Sequence, residues 1–200
     1  MGNSTMNFLS SLWRKKDGIA ATEFALLLPI MILLFFGMVE GSDALTVSRR
    51  LSNATNSIAD LAARQAEISQ AEIDDIMIGV TRQLEPTDVS QLSIKLVSVE
   101  IDPQDSNSLI VHWSRDNEQG EPYAPGSIYN GVDDITTLRA PNTLIVVEVD
   151  YTYASGLTNF VFDNPIDFAY KAKRWPRLTS RTQICDNYND QLNDYENCTS

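Results

Sequence analysis

The sequence predicts an α+β chain in which a long N-terminal helix, membrane-spanning through its first half, packs its second half against a small antiparallel sheet. Three observations predict it. Residues 19–39 read IAATEFALLLPIMILLFFGMV, 21 residues with one charge, which at 1.5 Å per residue matches a hydrocarbon layer about 30 Å thick. Val47, Leu51, Ala54, Ile58 and Leu61 follow at spacings of 4, 3, 4 and 3, one apolar stripe along a helix. Beyond Pro86 the apolar period changes to two, the mark of strands.

Composition bounds the function before any motif is considered. The 200 residues are 43% hydrophobic, enough for one ordinary core. Fifteen Lys and Arg against 27 Asp and Glu give a net charge of -12, which opposes nucleic acid because such binding rests on neutralising phosphates. The two cysteines, Cys185 and Cys198, have no CxxC spacing and the single histidine is His112, which excludes a Cys/His zinc site.

At the N-terminus, Arg14, Lys15 and Lys16 precede the apolar run and are expected to stay in the cytoplasm under the positive-inside rule, with the rest of the chain outside. Arg49 and Arg50, mixed with Glu40 and Asp43, oppose this only slightly. The run is longer than the core of a secretory signal and no small-x-small cleavage site follows it. Glu23 stands out within the run, because a carboxylate in a membrane helix is costly, about 2.5 to 3.5 kcal/mol at the centre. Snorkelling to the cytoplasmic interface is the plain reading. The sharper reading takes the basic leader, Gly18, and then Glu23 as the fifth residue of the apolar helix. That is the pattern of class III signal sequences, cut after glycine by prepilin peptidases. A cut there gives Ile19 a new amino group, with a reference pKa near 8, able to pair with Glu23 of a neighbouring subunit and set register between helices.

These residues carry a resemblance. Residues 14–29, RKKDGIAATEFALLLP, followed by Gly37, Glu40 and Gly41, resemble the TadE-like proteins, minor pseudopilins of the Flp (tight adherence) pilus system. Looser similarity covers His112-Trp-Ser114, residues 141–153 and Arg174-Trp-Pro-Arg177. The resemblance implies a pseudopilin-like fold, processing between Gly18 and Ile19, and Glu23 as the assembly carboxylate. Phe24, Leu27, Pro29 and Phe35 would belong to the hydrophobic helix through which subunits pack. It also implies a prepilin peptidase, a second minor pseudopilin and pilus machinery subunits as partners, at the bacterial inner membrane. Phe24 stands where the major Flp pilins usually carry tyrosine, which argues for a minor component.

The remaining elements follow from the residues themselves. No proline or glycine interrupts Ser42 to Ile68, so one helix of about 50 residues from Ile19 is expected, with Pro29 tolerated in its membrane half. Ser69-Gln-Ala-Glu72 is a capping box that opens a second helix with Ile73, Ile76, Met77, Val80 and Leu84 on its apolar face, closed by Pro86. Leu92, Ile94 and Leu96 alternate in one phase and Val97, Val99 and Ile101 in the other, suggesting a bulge near Leu96. A turn at Asp102–Asn107 leads to a strand over 109–114. Residues 115–142 form a long connection, and Thr143–Tyr153 a strand with one buried face. Residues 157–175 fit either a strand or a short helix, and 179–184 a last edge strand. The expected boundaries are a leader at 1–18, the span at 19–39, a helical stem and second helix at 40–85, the sheet domain at 86–184 and a C-terminal loop at 185–200.

In an oxidising exported space Cys185 and Cys198 are expected to bridge and close that loop. Nothing indicates an enzyme: His112 has no nucleophile or paired carboxylate beside it, and no phosphate loop, nucleophile elbow or dinucleotide fingerprint occurs. Asp102, Asp105 and Asn107, or Asp186, Asn189 and Asp190, do not fit EF-hand spacing and read as solvated loops. No cofactor, small-molecule substrate or nucleic acid partner is expected. The alternative reading is an unprocessed single-pass anchor whose outer domain binds or adheres, and a third is a secreted domain freed by ordinary signal cleavage. The three differ at the mature N-terminus.

Overall fold

The structure, a computed structural model, describes residues 17–132, 143–154, 165–189 and 194–199. The basic residues 14–16, the end of the long connection at 133–142 and residues 157–164 lie outside these. The chain is α+β and divides into two units, Met1–Ala44 and Leu45–Ser200. Helix α1 spans Asp17–Ala62, 46 residues with Pro29 inside it. In the first unit residues 19–39 of this helix are exposed and, Thr22 and Glu23 apart, apolar on every side, long and apolar enough to cross a membrane.

In the second unit α1 becomes one-sided. Val47, Leu51, Ala54, Thr55, Ile58, Ala59 and Ala62 are buried. Leu61, expected in the stripe, is instead 41% exposed. At about 100° per residue it stands about 80° round the axis from Leu51, whereas Ala62 stands about 20° away. The helix also stops earlier than the absence of glycine and proline suggests. Ala62 ends it, turns from Arg64 N to Leu61 O and Gln65 N to Ala62 O follow, and Ile68 goes into strand β1 (Glu67–Ser69). Ile68 is fully buried there, so tertiary packing overrides local helical preference.

Helix α2 (Gln70–Gln83) starts at the expected capping box: Ser69 N donates to Glu72 Oε2 at 2.8 Å and Glu72 N donates to Ser69 Oγ at 3.2 Å. It buries Ile73, Met77 and Val80. Ile76 is only half-buried.

Strands β2 (Leu92–Ile101), β3 (Leu109–Asp116), β4 (Thr143–Tyr153) and β5 (Ile166–Arg174) form an antiparallel sheet in the order β3-β2-β4-β5. The open 157–175 segment therefore ends in a strand. Pairing of β2 with β4 runs unbroken from Leu92↔Tyr151 to Glu100↔Thr143, so the expected bulge near Leu96 does not exist. The double phase has another cause, which is that both faces are covered. On one face lie Ile94, Leu96, Val147, Val149 and Tyr170, whose hydroxyl hydrogen-bonds that of Ser48 on α1 at 2.6 Å. On the other, Val97, Val99, Leu109, Val111, Leu144 and Val146 pack under Tyr129. The 143–153 strand is accordingly buried on both faces in its first half, where one buried face was expected.

The bulge sits instead in β3. Ser98 pairs with Trp113 and Val99 with Val111, leaving His112 as the extra residue. That residue changes the strand's phase, so Leu109 and Val111 join the Tyr129 face while Trp113 turns to the other, where its Nε1 donates to Thr182 O at 2.9 Å. Strand β6 (Gln183–Cys185) is not an edge of this sheet. It pairs in parallel with β1, Ser69 opposite Cys185. A final hairpin, β7 (Asn187–Asn189) with β8 (Asp194–Glu196), follows.

Candidate functional site

In the first unit the candidate residues lie along one continuous helix. Gly18 and Ile19 are in its first turn, where the Thr22 hydroxyl donates to Ile19 O at 2.8 Å. Glu23 lies one turn on, about 6 Å along the axis, so the two share a face. Ile19, Glu23, Phe24, Leu27 and Phe35 are all exposed, the aromatic pair Phe35 and Phe36 meeting edge to face at 5.6 Å. At about 100° per residue, Leu27 lies about 40° from Glu23, Phe24 and Phe35 about 100° to 120°, and Pro29 about 120° the other way. The named residues are therefore spread around the helix.

Two residues that the spacing argument left out do lie on the Glu23 face. Gly41 falls in line with Glu23 and Gly37 within about 40° of it, and apart from the local helix backbone nothing stands within 4 Å of where a Cβ would be at either glycine. Small residues four apart are what allow membrane helices to approach closely. The signal was present in the sequence as Gly37-Met-Val-Glu-Gly41, four residues apart.

Residues 18–66 match the family model described as TadE-like protein. The chain carries a TadE-like segment. It covers 49 of the 200 residues and begins at the glycine singled out above. No curated protein matches the chain, and no solved structure does. A TadE-like segment on an apolar N-terminal helix fits a component of a Tad pilus, and such a helix can anchor a chain in a membrane.

The second unit, which the TadE-like segment enters through α1, has two polar ties that fix its surface loops. In the first, Glu148 accepts from the hydroxyls of Tyr123 and Tyr129, each at 2.7 Å, and pairs with Lys171 at 2.8 Å. Lys171 also donates to Gly131 O at 2.9 Å. Burial acts to raise the Glu148 pKa, but the hydrogen bonds from Lys171, Tyr123 and Tyr129 outweigh it and hold the carboxyl below its ordinary value. Burial, with Glu148 beside it, pushes the Tyr123 hydroxyl up to about 12 and the Tyr129 hydroxyl higher still. This tie clamps the 117–132 segment over the sheet.

The second tie involves the bridge between Cys185 and Cys198, which is formed. The hairpin it closes puts the Tyr195 hydroxyl 3.0 and 3.1 Å from the two oxygens of Glu72, the capping-box residue of α2. Burial and that carboxylate push the Tyr195 hydroxyl up to about 12. Asn197 Nδ2 donates to Asp186 Oδ2, and Thr199 N to Ile184 O. Between this hairpin and β3 is a cavity of about 240 Å³ bordered by His112, Trp113, Cys185 and Asn197. Among the described residues no three His, Cys, Asp or Glu side chains gather to hold a metal ion. Asp102 and Asp105 are occupied as turn formers, accepting from Gln104 N and Asn107 N at 2.8 and 3.0 Å.

Proposed function

We propose that the chain is a minor pseudopilin-like component of a Flp/Tad-type pilus, cut by a prepilin peptidase between Gly18 and Ile19. It enters the assembly through its apolar helix, and its second unit lies outside the inner membrane, where it contacts partner subunits. It acts by binding and not by catalysis. The observation that carries this reading is the TadE-like match that opens at Gly18 on an apolar helix with Glu23 five residues on.

Arg14, Lys15 and Lys16 hold the leader in the cytoplasm. Cleavage creates an amino group on Ile19. Glu23 lies about 6 Å farther along the same helix, so the amine of one subunit meets Glu23 of a neighbour displaced along the axis. An isolated carboxylate in hydrocarbon costs several kcal/mol, and only the correct stagger removes that cost. Gly37 and Gly41 on the same face let the two helices approach. A second minor pseudopilin supplies the neighbouring helix.

The test is the N-terminal residue and intact mass of the protein from membranes of its native host, with and without Gly18→Leu. A start at Ile19 that vanishes in the variant is expected. A start at Met1 would instead identify an uncut anchor, and a start beyond Val39 a secreted domain; either overturns the proposal.

A further inference from the structure

We infer that Asn130 is a site of spontaneous deamidation, and that the isoaspartate formed there opens the clamp that Glu148 and Lys171 keep on the 117–132 segment. The inference stands apart from the pilus reading, because it uses only residues of the second unit.

The reaction needs a backbone nitrogen that can attack the side chain of the preceding asparagine. Gly131 N attacks Asn130 Cγ, the Cγ–Nδ2 bond breaks, and ammonia leaves with the proton that Gly131 N gives up. Water then opens the resulting succinimide. Opening at the Asn130 carbonyl carbon gives isoaspartate, in which the backbone runs through Cγ and is longer by a methylene; opening at Cγ gives aspartate.

The structure supplies what that step requires. Asn130-Gly131 is the single Asn-Gly pair in the chain, and a residue without Cβ leaves the approach to its nitrogen open. Asn130 is exposed and lies outside helix and strand, so water has access and no ladder fixes the backbone. Gly131 N–H has no acceptor among the described residues, whereas Gly131 O accepts from Lys171 Nζ at 2.9 Å. That ammonium, 2.8 Å from where a Gly131 Cβ would stand, favours loss of the amide proton, as a nearby positive charge does for any acid. Asn107 is the contrast. It too is exposed in a turn, but Ser108 follows it, and Ser108 N donates to Asp105 O at 3.0 Å.

The consequence follows from the packing around the product. Tyr129 Oη and Lys171 Nζ close on Gly131 so tightly that no Cβ would fit. Tyr129 is held on its other sides, its hydroxyl by Glu148 at 2.7 Å and its N–H by Leu109 O at 2.8 Å. An extra methylene between residues 130 and 131 therefore moves Gly131 O off Lys171 or Tyr129 off Glu148. Either movement loosens the cover that Tyr129 makes with Val97, Val99 and Val146.

The test follows the full chain in detergent, warmed at mildly alkaline pH, by peptide mass mapping and isoaspartate methyltransferase labelling, with the same chain in urea as reference. Asn130 should convert at least as fast in the folded chain as in urea. Asn107, whose nucleophile must first leave a hydrogen bond, should convert about fivefold slower when folded. Hydrogen exchange across 123–132 should be about tenfold faster in the isoaspartate fraction, with the β2–β4 ladder unchanged. Asn130→Gln, whose longer side chain closes its ring slowly, should show neither the modification nor the faster exchange. Folded-chain protection of Asn130 equal to that of Asn107, or isoaspartate that leaves the exchange unaltered, overturns the inference.

Discussion

Cutting the bridge between Cys185 and Cys198 should loosen α2 through a residue that neither cysteine touches. The bridge closes a loop of sequence separation 13, and chain entropy assigns such a loop about 3 kcal/mol. The hairpin it restrains delivers Tyr195 to Glu72, a hydrogen bond to a charged group worth about 1.5 kcal/mol. The perturbation is Cys185→Ser with Cys198→Ser, combined with Tyr195→Phe in a double-mutant cycle. Urea unfolding of the full chain in detergent, followed by near-ultraviolet circular dichroism, is the assay. The serine pair should lose about 3 kcal/mol. Tyr195→Phe should cost about 1.5 kcal/mol when the bridge is intact and close to nothing when it is absent. A serine pair within about 0.5 kcal/mol of the parent, or a Tyr195→Phe cost that is the same in both backgrounds, would refute the idea that the bridge works by presenting Tyr195.

Glu148 makes the second unit acid-sensitive: with a folded pKa below its unfolded value, its stabilisation is present above about pH 4.3 and is lost as pH falls through the folded pKa. Glu148→Gln should flatten that part of the pH–stability curve. At alkaline pH the sign reverses, because the Tyr123 and Tyr195 hydroxyls sit at about 12 in the folded chain. Stability should therefore fall from about pH 10 upward, and absorbance at phenolate wavelengths should show tyrosines that ionise only as the chain unfolds. Ile58→Ala, at a fully buried position, should cost about 2 to 5 kcal/mol in urea melts, while Leu61→Ala should cost under about 1 kcal/mol.

Sequence read alone is most reliable where one residue's own chemistry decides the local structure. The Ser69–Glu72 capping box needs only four residues, and the structure has both of its hydrogen bonds. The apolar run of α1, the turn after Ile101 and the strand at 143–153 have the same local character. What escaped was set by distant segments. The two phases of β2 look like a bulge from within the strand, but they reflect a second cover supplied by Tyr129, about thirty residues on. The real bulge, at His112, leaves no local mark because both flanking residues, Val111 and Trp113, are apolar. Strand β1 is too short to show a period and exists through its partner β6. At the candidate site, spacing alone singled out Gly18, where the TadE-like match opens, and Glu23, whereas Gly37 and Gly41 fall on the Glu23 face only once one continuous helix fixes their angle.

Helix α1 serves two masters, and this limits how such chains can be recombined. The family-matched stretch stops at residue 66, but the second unit already begins at Leu45. The shared stretch contains Leu51, Ile58 and Ala62, the inward ridge of that unit's core. A crossover at residue 66 would graft a new sheet onto a foreign ridge and lose matched contacts such as that of Ser48 with Tyr170. Viable chimeras therefore exchange the apolar stretch upstream of Leu45, and a water-soluble version of the second unit must keep Val47 onward.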